Sequence, residues 1–238
     1  MTQPGGGALW LIHALGSSAR QWNDVAASPR LAGYAKTAPD LPGSGDEPSR
    51  PGVTLAQLAR EIASEIGSSS RRTVLVGHSL GGVLATLVAE QRPRELVAVV
   101  NVEGNLTLAD CTASAAAVSA PDFAVWLDRL VEICATGTEP FRRLSTWLRT
   151  CDPTTFLEFS RELVRLSTDA AIGNRYASLS LPCLYLRGDN GFPAESIAFI
   201  KQHSLRERVI PGASHLLPWE RPEEVSAAIA DFAGEVVA

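Results

Sequence analysis

In Gly77-His78-Ser79-Leu80-Gly81 a serine stands two residues from a glycine on either side, the Gly-x-Ser-x-Gly spacing that suits a nucleophile. The reason is steric. Only a very tight strand-to-helix turn lifts a hydroxyl clear of a sheet, and a Cβ two residues before or after the serine would strike neighbouring backbone. Gly77 and Gly81 meet that demand, and Gly82 extends it. A serine hydroxyl is a weak nucleophile at neutral pH, so an imidazole must take its proton and amide N–H groups must receive the oxyanion that forms. The Leu80 amide, at the start of the following helix, is placed for the second task. A serine that merely caps a helix is the plainer alternative.

Among the four histidines, His215 is the candidate base. It follows a late strand and the breakers Pro211-Gly212, which puts it on a loop at the carboxyl edge of a sheet, within reach of Ser79. His203 ends a predicted helix and reads as a solvated C-terminal residue.

These groups need a scaffold, and the chain supplies strands that alternate with helices. Ala8 to Ile12, Tyr34 to Ala38, Thr73 to Val76, Leu96 to Val102, Cys183 to Arg187 and Arg208 to Ile210 are apolar or β-branched runs of strand length. Helices are expected from Leu55 to about Ile66, Leu80 to about Gln91, Pro193 to His203 and Pro222 to about Phe232. Thr54 caps the first of these and Gly67 stops it. Strand alternating with helix implies a doubly wound, mostly parallel α/β sheet. Between about Leu106 and Leu179 the rhythm is lost, and helices near 121–135, 140–150 and 153–168 read as an insertion.

The bulk numbers agree with one domain. A chain of 238 residues, 45% hydrophobic and 20% charged, buries a single large core. A net charge of −5 disfavours nucleic acid and anionic membranes as partners. Residues 1–7 lack a positively charged start followed by an apolar stretch, and no apolar run reaches the roughly 18 residues that span a bilayer, so a cytoplasmic location is expected. Cys111, Cys134, Cys151 and Cys183 form no Cys-x-x-Cys pair, and they read as free thiols rather than metal ligands, with a disulfide among the first three as the alternative.

The chain resembles the α/β-hydrolase superfamily through four stretches besides the serine turn. His13-Ala14-Leu15-Gly16 is similar to that family's oxyanion loop, with Ala14 where glycine is usual. Asp40-Leu41-Pro42-Gly43-Ser44-Gly45, Gly212-Ala213-Ser214-His215 and Glu220-Arg221-Pro222 match three further family segments. The resemblance implies a core from 1–105 and 180–238 with a helical cap at 106–179, oxyanion amides on Leu15 and Leu80, a structural His13, and a His78 that packs beside the site. It implies no metal or organic cofactor.

The same resemblance exposes a departure. Most members carry an aspartate three residues beyond the glycine that ends the penultimate strand, but here Gly188 is followed by Asp189, Asn190 and Gly191. Two carboxylates remain for the imidazole. Glu103 ends the strand beside the nucleophile strand and is preferred; Asp189 is the alternative, and as a turn residue in Gly-Asp-Asn-Gly it has an ordinary explanation.

Substrate contacts are expected from His78, Trp126 and Trp147, with Phe123, Phe141, Phe156 and Phe159 as further cap aromatics that line an apolar pocket or fill cap core. Arg129, Arg142, Arg143, Arg149, Arg161 and Arg165 are either receivers of a substrate anion or a solvated helix face. The leading function is hydrolysis of an ester, lactone or thioester of a mostly apolar small molecule. Carbon–carbon bond cleavage or a lyase reaction by the same Ser/His pair is the second reading, and a non-catalytic small-molecule receptor the third. An oligomeric state is not legible.

Overall fold

Residues 6–237 are described in the computed structural model of the chain; part of the N-terminal stretch read for a leader, residues 1–5, lies outside the described residues, as does residue 238. Six strands are present: β1 (Ala8–Ile12), β2 (Ala35–Thr37), β3 (Thr73–His78), β4 (Leu96–Val102), β5 (Cys183–Gly188) and β6 (Glu207–Ile210). They form one sheet in the order β2-β1-β3-β4-β5-β6, and every pairing is parallel.

Apolar residues fill both faces of the central strands because both faces are covered. Trp10 and Ile12 of β1, Leu75 of β3, Val99 of β4 and Tyr185 of β5 pack into one core. Leu9, Leu11, Val74, Val76, Val100 and Leu186 pack into the other. This period of two on doubly buried strands is why the sequence shows continuous apolar runs there.

Helices α2 (Leu55–Gly67) and α3 (Leu80–Glu90) cover the first face, and α11 (Pro222–Val237) with the short α1 (Asn23–Ala26) covers the second. Thr54 and Gln57 form a reciprocal capping box on α2, whose Leu55, Leu58, Ile62 and Ile66 are buried at helical spacing.

Between β4 and β5 the chain is wholly helical: a turn at Leu108–Asp110, then α4 (Thr112–Ser119), α5 (Phe123–Thr136), α6 (Glu139–Leu148), α7 (Pro153–Ser167) and α8 (Ala171–Ala177). Three of these were expected from periodicity. The others, α4 and α8, were not, because Thr-Ala-Ser-Ala-Ala-Ala-Val-Ser and the seven residues of α8 carry no long apolar stripe. Leu127, Val131, Cys134, Leu148 and Phe156 give the insertion a small core of its own. After β5 come α9 (Ala194–Gln202) and α10 (Leu217–Glu220), the second a single turn also unforeseen, and α11 runs past Phe232 to Val237. All four cysteines are free thiols, three buried and Cys183 partly so. Among the described residues no helix is long and apolar enough to cross a membrane.

Candidate active site

Ser79 sits one residue beyond β3 with φ 55° and ψ −116°, a left-handed conformation that a non-glycine residue holds only when its surroundings enforce it. The surroundings are packed backbone. A Cβ on Gly77 would lie 2.0 Å from the Gly81 carbonyl oxygen, one on Gly81 2.3 Å from that of Ile12, and one on Gly82 2.3 Å from Asn101 Oδ1. The Ser79 amide donates to the Val102 carbonyl at 2.9 Å, tying the turn to β4.

The loop after β1 is fixed just as closely. His13 is fully buried; its Nε2 accepts the Leu41 amide at 2.9 Å, so Nδ1 carries the proton and donates to the Ala14 carbonyl at 2.8 Å. Burial lowers its pKa and keeps it neutral, against the pull of the Ala14 carbonyl and Asp40. Asp40 ties the next loop down by accepting the amides of Ala19 and Asp46. Ala14 fits where glycine is usual because the left-handed position in this loop belongs to Gly16, at φ 67°. Among the described residues the Leu15 and Leu80 amides have no protein acceptor, and Leu15 and Ser79 line the same cavity.

Glu103 follows β4 as Ser79 follows β3, and the two strands pair His78 with Val102 in register, so both side chains emerge at one edge. The carboxylate is 5% exposed and divided between two donors: Oε1 accepts the Gly188 amide at 2.7 Å, and Oε2 lies 2.7 Å from His215 Nδ1. That bond places the proton of a neutral imidazole on Nδ1 and leaves Nε2 as the base. The imidazole is half exposed, so the loss of water that disfavours the imidazolium is partial, and the Glu103 hydrogen bond and charge, aided by Asp110 and Glu220, outweigh it and raise the His215 pKa.

The histidine loop is held from both sides. Glu220 accepts the Ser214 amide at 2.6 Å and its hydroxyl at 2.7 Å, while the Asn190 amide donates to the Ala213 carbonyl at 3.0 Å. Asp189 is exposed, and its Oδ1 accepts the Gly212 amide at 2.7 Å. Asp189 therefore anchors the backbone of the histidine loop, and Glu103 is the carboxylate on the imidazole. No hydrogen bond joins the Ser79 hydroxyl to the His215 ring among the described residues. The two share the wall of one cavity.

That cavity, about 280 Å³, runs from Ser79 into the helical insertion. His78 borders it but is fully buried, its Nε2–H donating to the His215 carbonyl at 2.8 Å, so it supports the histidine loop more than it meets a ligand. Trp126 and Trp147 stand apart from the cavity. Neither lines it: Trp126 packs on Phe123 and Phe156, and Trp147 stands in an outer cleft with the Arg20 guanidinium 5.3 Å from its ring. The apolar wall is instead Leu130, Phe141, Leu144, Leu148 and Phe156. Phe141 and Leu144 are three residues apart and Leu148 four further on, one stripe of α6; Trp147 is off that stripe.

The seven arginines of the insertion, Arg175 included, also stay out of the cavity; Arg143 pairs with Asp24 and Glu139, Arg165 with Glu162, and Arg175 with Glu90. Residues that sequence reasoning missed include Gln21, Asn105, Asp110 and Trp219, which border the cavity. The Thr-x-x-Asp pattern of Thr107 and Asp110, a capping box in the structure, was the one available signal. Among the described residues no three His, Cys, Asp or Glu side chains gather as a metal site.

Comparison with known proteins gives the same lineage. A family model described as alpha/beta hydrolase family matches residues 11–228. The chain is 29% identical over 256 residues to the biotin biosynthesis bifunctional protein BioHC of Cellvibrio japonicus, covering 98% of this chain but only 48% of that protein, so it spans about half the length of that relative. It is also 29% identical over 249 residues to the pimeloyl-[acyl-carrier protein] methyl ester esterase of Aeromonas salmonicida, with 95% of each covered. A thermophilic esterase from Thermogutta terrifontis superposes with a TM-score of 0.77 at 20% identity, over 98% of this chain and 92% of that one.

Proposed function

The chain belongs to the alpha/beta hydrolase family, and from that premise we propose that it cleaves a carboxylic ester of a mostly apolar small molecule through an acyl-enzyme on Ser79. The observation that carries the reading is the 2.7 Å contact of His215 Nδ1 with buried Glu103, on a histidine that shares its cavity with Ser79. In the proposed cycle His215 Nε2 takes the hydroxyl proton as Ser79 Oγ attacks the carbonyl carbon. The Leu15 and Leu80 amides receive the oxyanion, and the imidazolium, held by Glu103, protonates the departing alcohol. Water then repeats the sequence on the acyl-enzyme, releasing acid and Ser79. Lactones and thioesters fall within the same chemistry.

Segment 106–179 acts as the cap of this proposal, its apolar wall receiving the acyl chain. The esterase name of the Aeromonas salmonicida relative supports ester cleavage. A small molecule is the substrate, and neither nucleic acid nor a membrane has a part. The free thiols suit a cytoplasmic setting.

The test is a panel of aryl and alkyl esters with fluorophosphonate labelling. The native protein is expected to be labelled at Ser79 and to hydrolyse esters, and Ser79→Ala to lose at least about 10⁵-fold in kcat with its fold intact. An unlabelled protein that binds a small molecule without turnover would be the receptor instead. A Ser79→Ala variant that keeps most of its activity would overturn the assignment.

A further inference from the structure

The ionisable side chains on the cavity wall are His78, Asp110, Cys134 and His215, with no lysine or arginine among them. Burial, with the His215 charge adding to it, holds His78 well below its ordinary pKa. Burial also raises the Cys134 thiol, so both are uncharged near neutral pH. Asp110 is the fixed charge that remains. Its Oδ2 accepts the amides of Leu106 and Thr107, both at 2.8 Å, and its Oδ1 accepts the Ser196 hydroxyl at 2.7 Å. A group that accepts three hydrogen bonds and donates none is held as the carboxylate. Burial raises its pKa, against the pull of the Thr107 and Leu106 amides, Ser196 and the nearby His215 charge.

Asp110 shares the cavity wall with other polar residues. Asn105 beside it directs Nδ2 to Cys111 Sγ at 2.9 Å and Ser167 Oγ at 3.1 Å, leaving its carbonyl oxygen as the group for a ligand. Thr112 and Ser114 are further polar residues on the wall, which the apolar stripe of α6 also lines. A charge enclosed this way acts far more strongly than one in water.

We propose that Asp110 sets the substrate class: the site takes esters that carry a cationic group near the scissile carbonyl, and rejects esters that carry a second carboxylate. The proposal rests on the reading of this cavity as the site of ester cleavage. It has a corollary for turnover, because hydrolysis creates a carboxylate inside a cavity whose fixed charge repels it, which favours release of the acid.

The experiment uses esters matched in shape. One series varies the alcohol: butyrylcholine, its neutral isostere 3,3-dimethylbutyl butyrate, and the butyrate ester of glycolic acid. The other places ammonium, tert-butyl or carboxylate at the end of the acyl chain of a phenyl ester. In at least one series kcat/KM is expected to be about tenfold or more higher for the cation than for the neutral isostere and lowest for the carboxylate, and Asp110→Asn to bring the cation-to-neutral ratio near one.

Calorimetric affinities of Ser79→Ala for the same esters are expected to show the same order without turnover. An equal or reversed order in both series overturns the proposal, as does a ratio unchanged in an Asp110→Asn protein that melts like the native one. The native ranking needs no variant, so it decides the matter if Asp110→Asn does not fold. Preferential binding of the cation with no hydrolysis of any ester overturns the ester-cleavage reading and leaves the selection by Asp110 standing.

Discussion

The carboxyl edge of the sheet and the helical insertion both border the cavity at Ser79, but they are built on different principles. At the edge, side chains and backbone are locked by hydrogen bonds and close contact: Ser79 to Val102, Glu103 to Leu186 and Gly188, His13 to Leu41, and glycines that leave no room for a methyl group. In the insertion the apolar part of the wall, Leu130, Phe141, Leu144 and Leu148, holds position by side-chain packing, and Asp110 is the hydrogen-bonded exception. Hydrogen-bonded geometry tolerates little change, whereas an apolar wall can be reshaped by ordinary substitutions. The chemistry is therefore fixed in one region and selection for shape is left to the other.

The sharpest way to break that comparison is at the acid. Glu103→Gln keeps the shape but loses the charge that stabilises the imidazolium and fixes its tautomer, and kcat is expected to fall about 10³- to 10⁴-fold. Asp189→Asn, which can still accept from Gly212, is expected to stay within about fivefold of native. Equal losses in the two variants would remove Glu103 from the triad.

The pH behaviour follows from the same pair. His215 must be neutral to act as base and its pKa is raised, so the acid limb of native activity lies above the ordinary value of about 6.5. In Glu103→Gln the counter-charge that raises the pKa is gone, and the limb moves to lower pH. For stability, a group whose folded pKa is raised contributes fully below its unfolded pKa, and the contribution is lost as pH rises through the folded value. The native advantage over Glu103→Gln in denaturant titrations is therefore expected to be larger near pH 5.5 than near pH 8.5.

Gly81→Ala tests the close packing. Its Cβ would meet the carbonyl oxygens of Ile12 at 2.3 Å and His13 at 2.9 Å, and neither is the end of a flexible side chain. A loss of about 3 kcal/mol or more in unfolding free energy is expected. Leu144→Ala, on the partly exposed wall of the insertion, is expected to cost about 1 to 2 kcal/mol. Equal costs would mean that the insertion is as rigidly specified as the sheet edge.

The same contrast explains what could be read from the sequence. Strand alternation and the Gly-x-Ser-x-Gly spacing follow from local sterics, so the order of sheet elements and the turn at Ser79 were legible. Glu103 was legible only through the family resemblance, which sets its strand beside the nucleophile strand; in the structure one residue beyond β4 stands beside one residue beyond β3. Asp110 and Gln21 were not legible: a carboxylate in a short turn and an amide after a loop are facing a cavity only because of where distant segments fold. For the aromatics, helical periodicity shows which residues share a face but not which partner that face meets.

Phe141 and Trp147 bring this to one helix and give the smallest expected effects. Six positions separate them on α6, about 600° of rotation, so they stand about 120° apart around the helix. Phe141 is 38% exposed and still borders the cavity, while Trp147 lies in the outer cleft under Arg20. Removing the Phe141 ring takes apolar contact from whichever acyl chain reaches the insertion, a loss of about 1 to 2 kcal/mol that only longer chains can feel. Phe141→Ala is therefore expected to raise KM about tenfold for octanoyl esters and to leave acetyl esters nearly unaffected, since a contact remote from the reacting carbonyl is made equally in ground and transition states. Trp147→Ala is expected to change kcat/KM less than twofold for either chain length. If the tryptophan variant instead shows the dependence on chain length, the acyl group lies in the outer cleft, and the division of labour between sheet edge and cavity wall has to be redrawn around it.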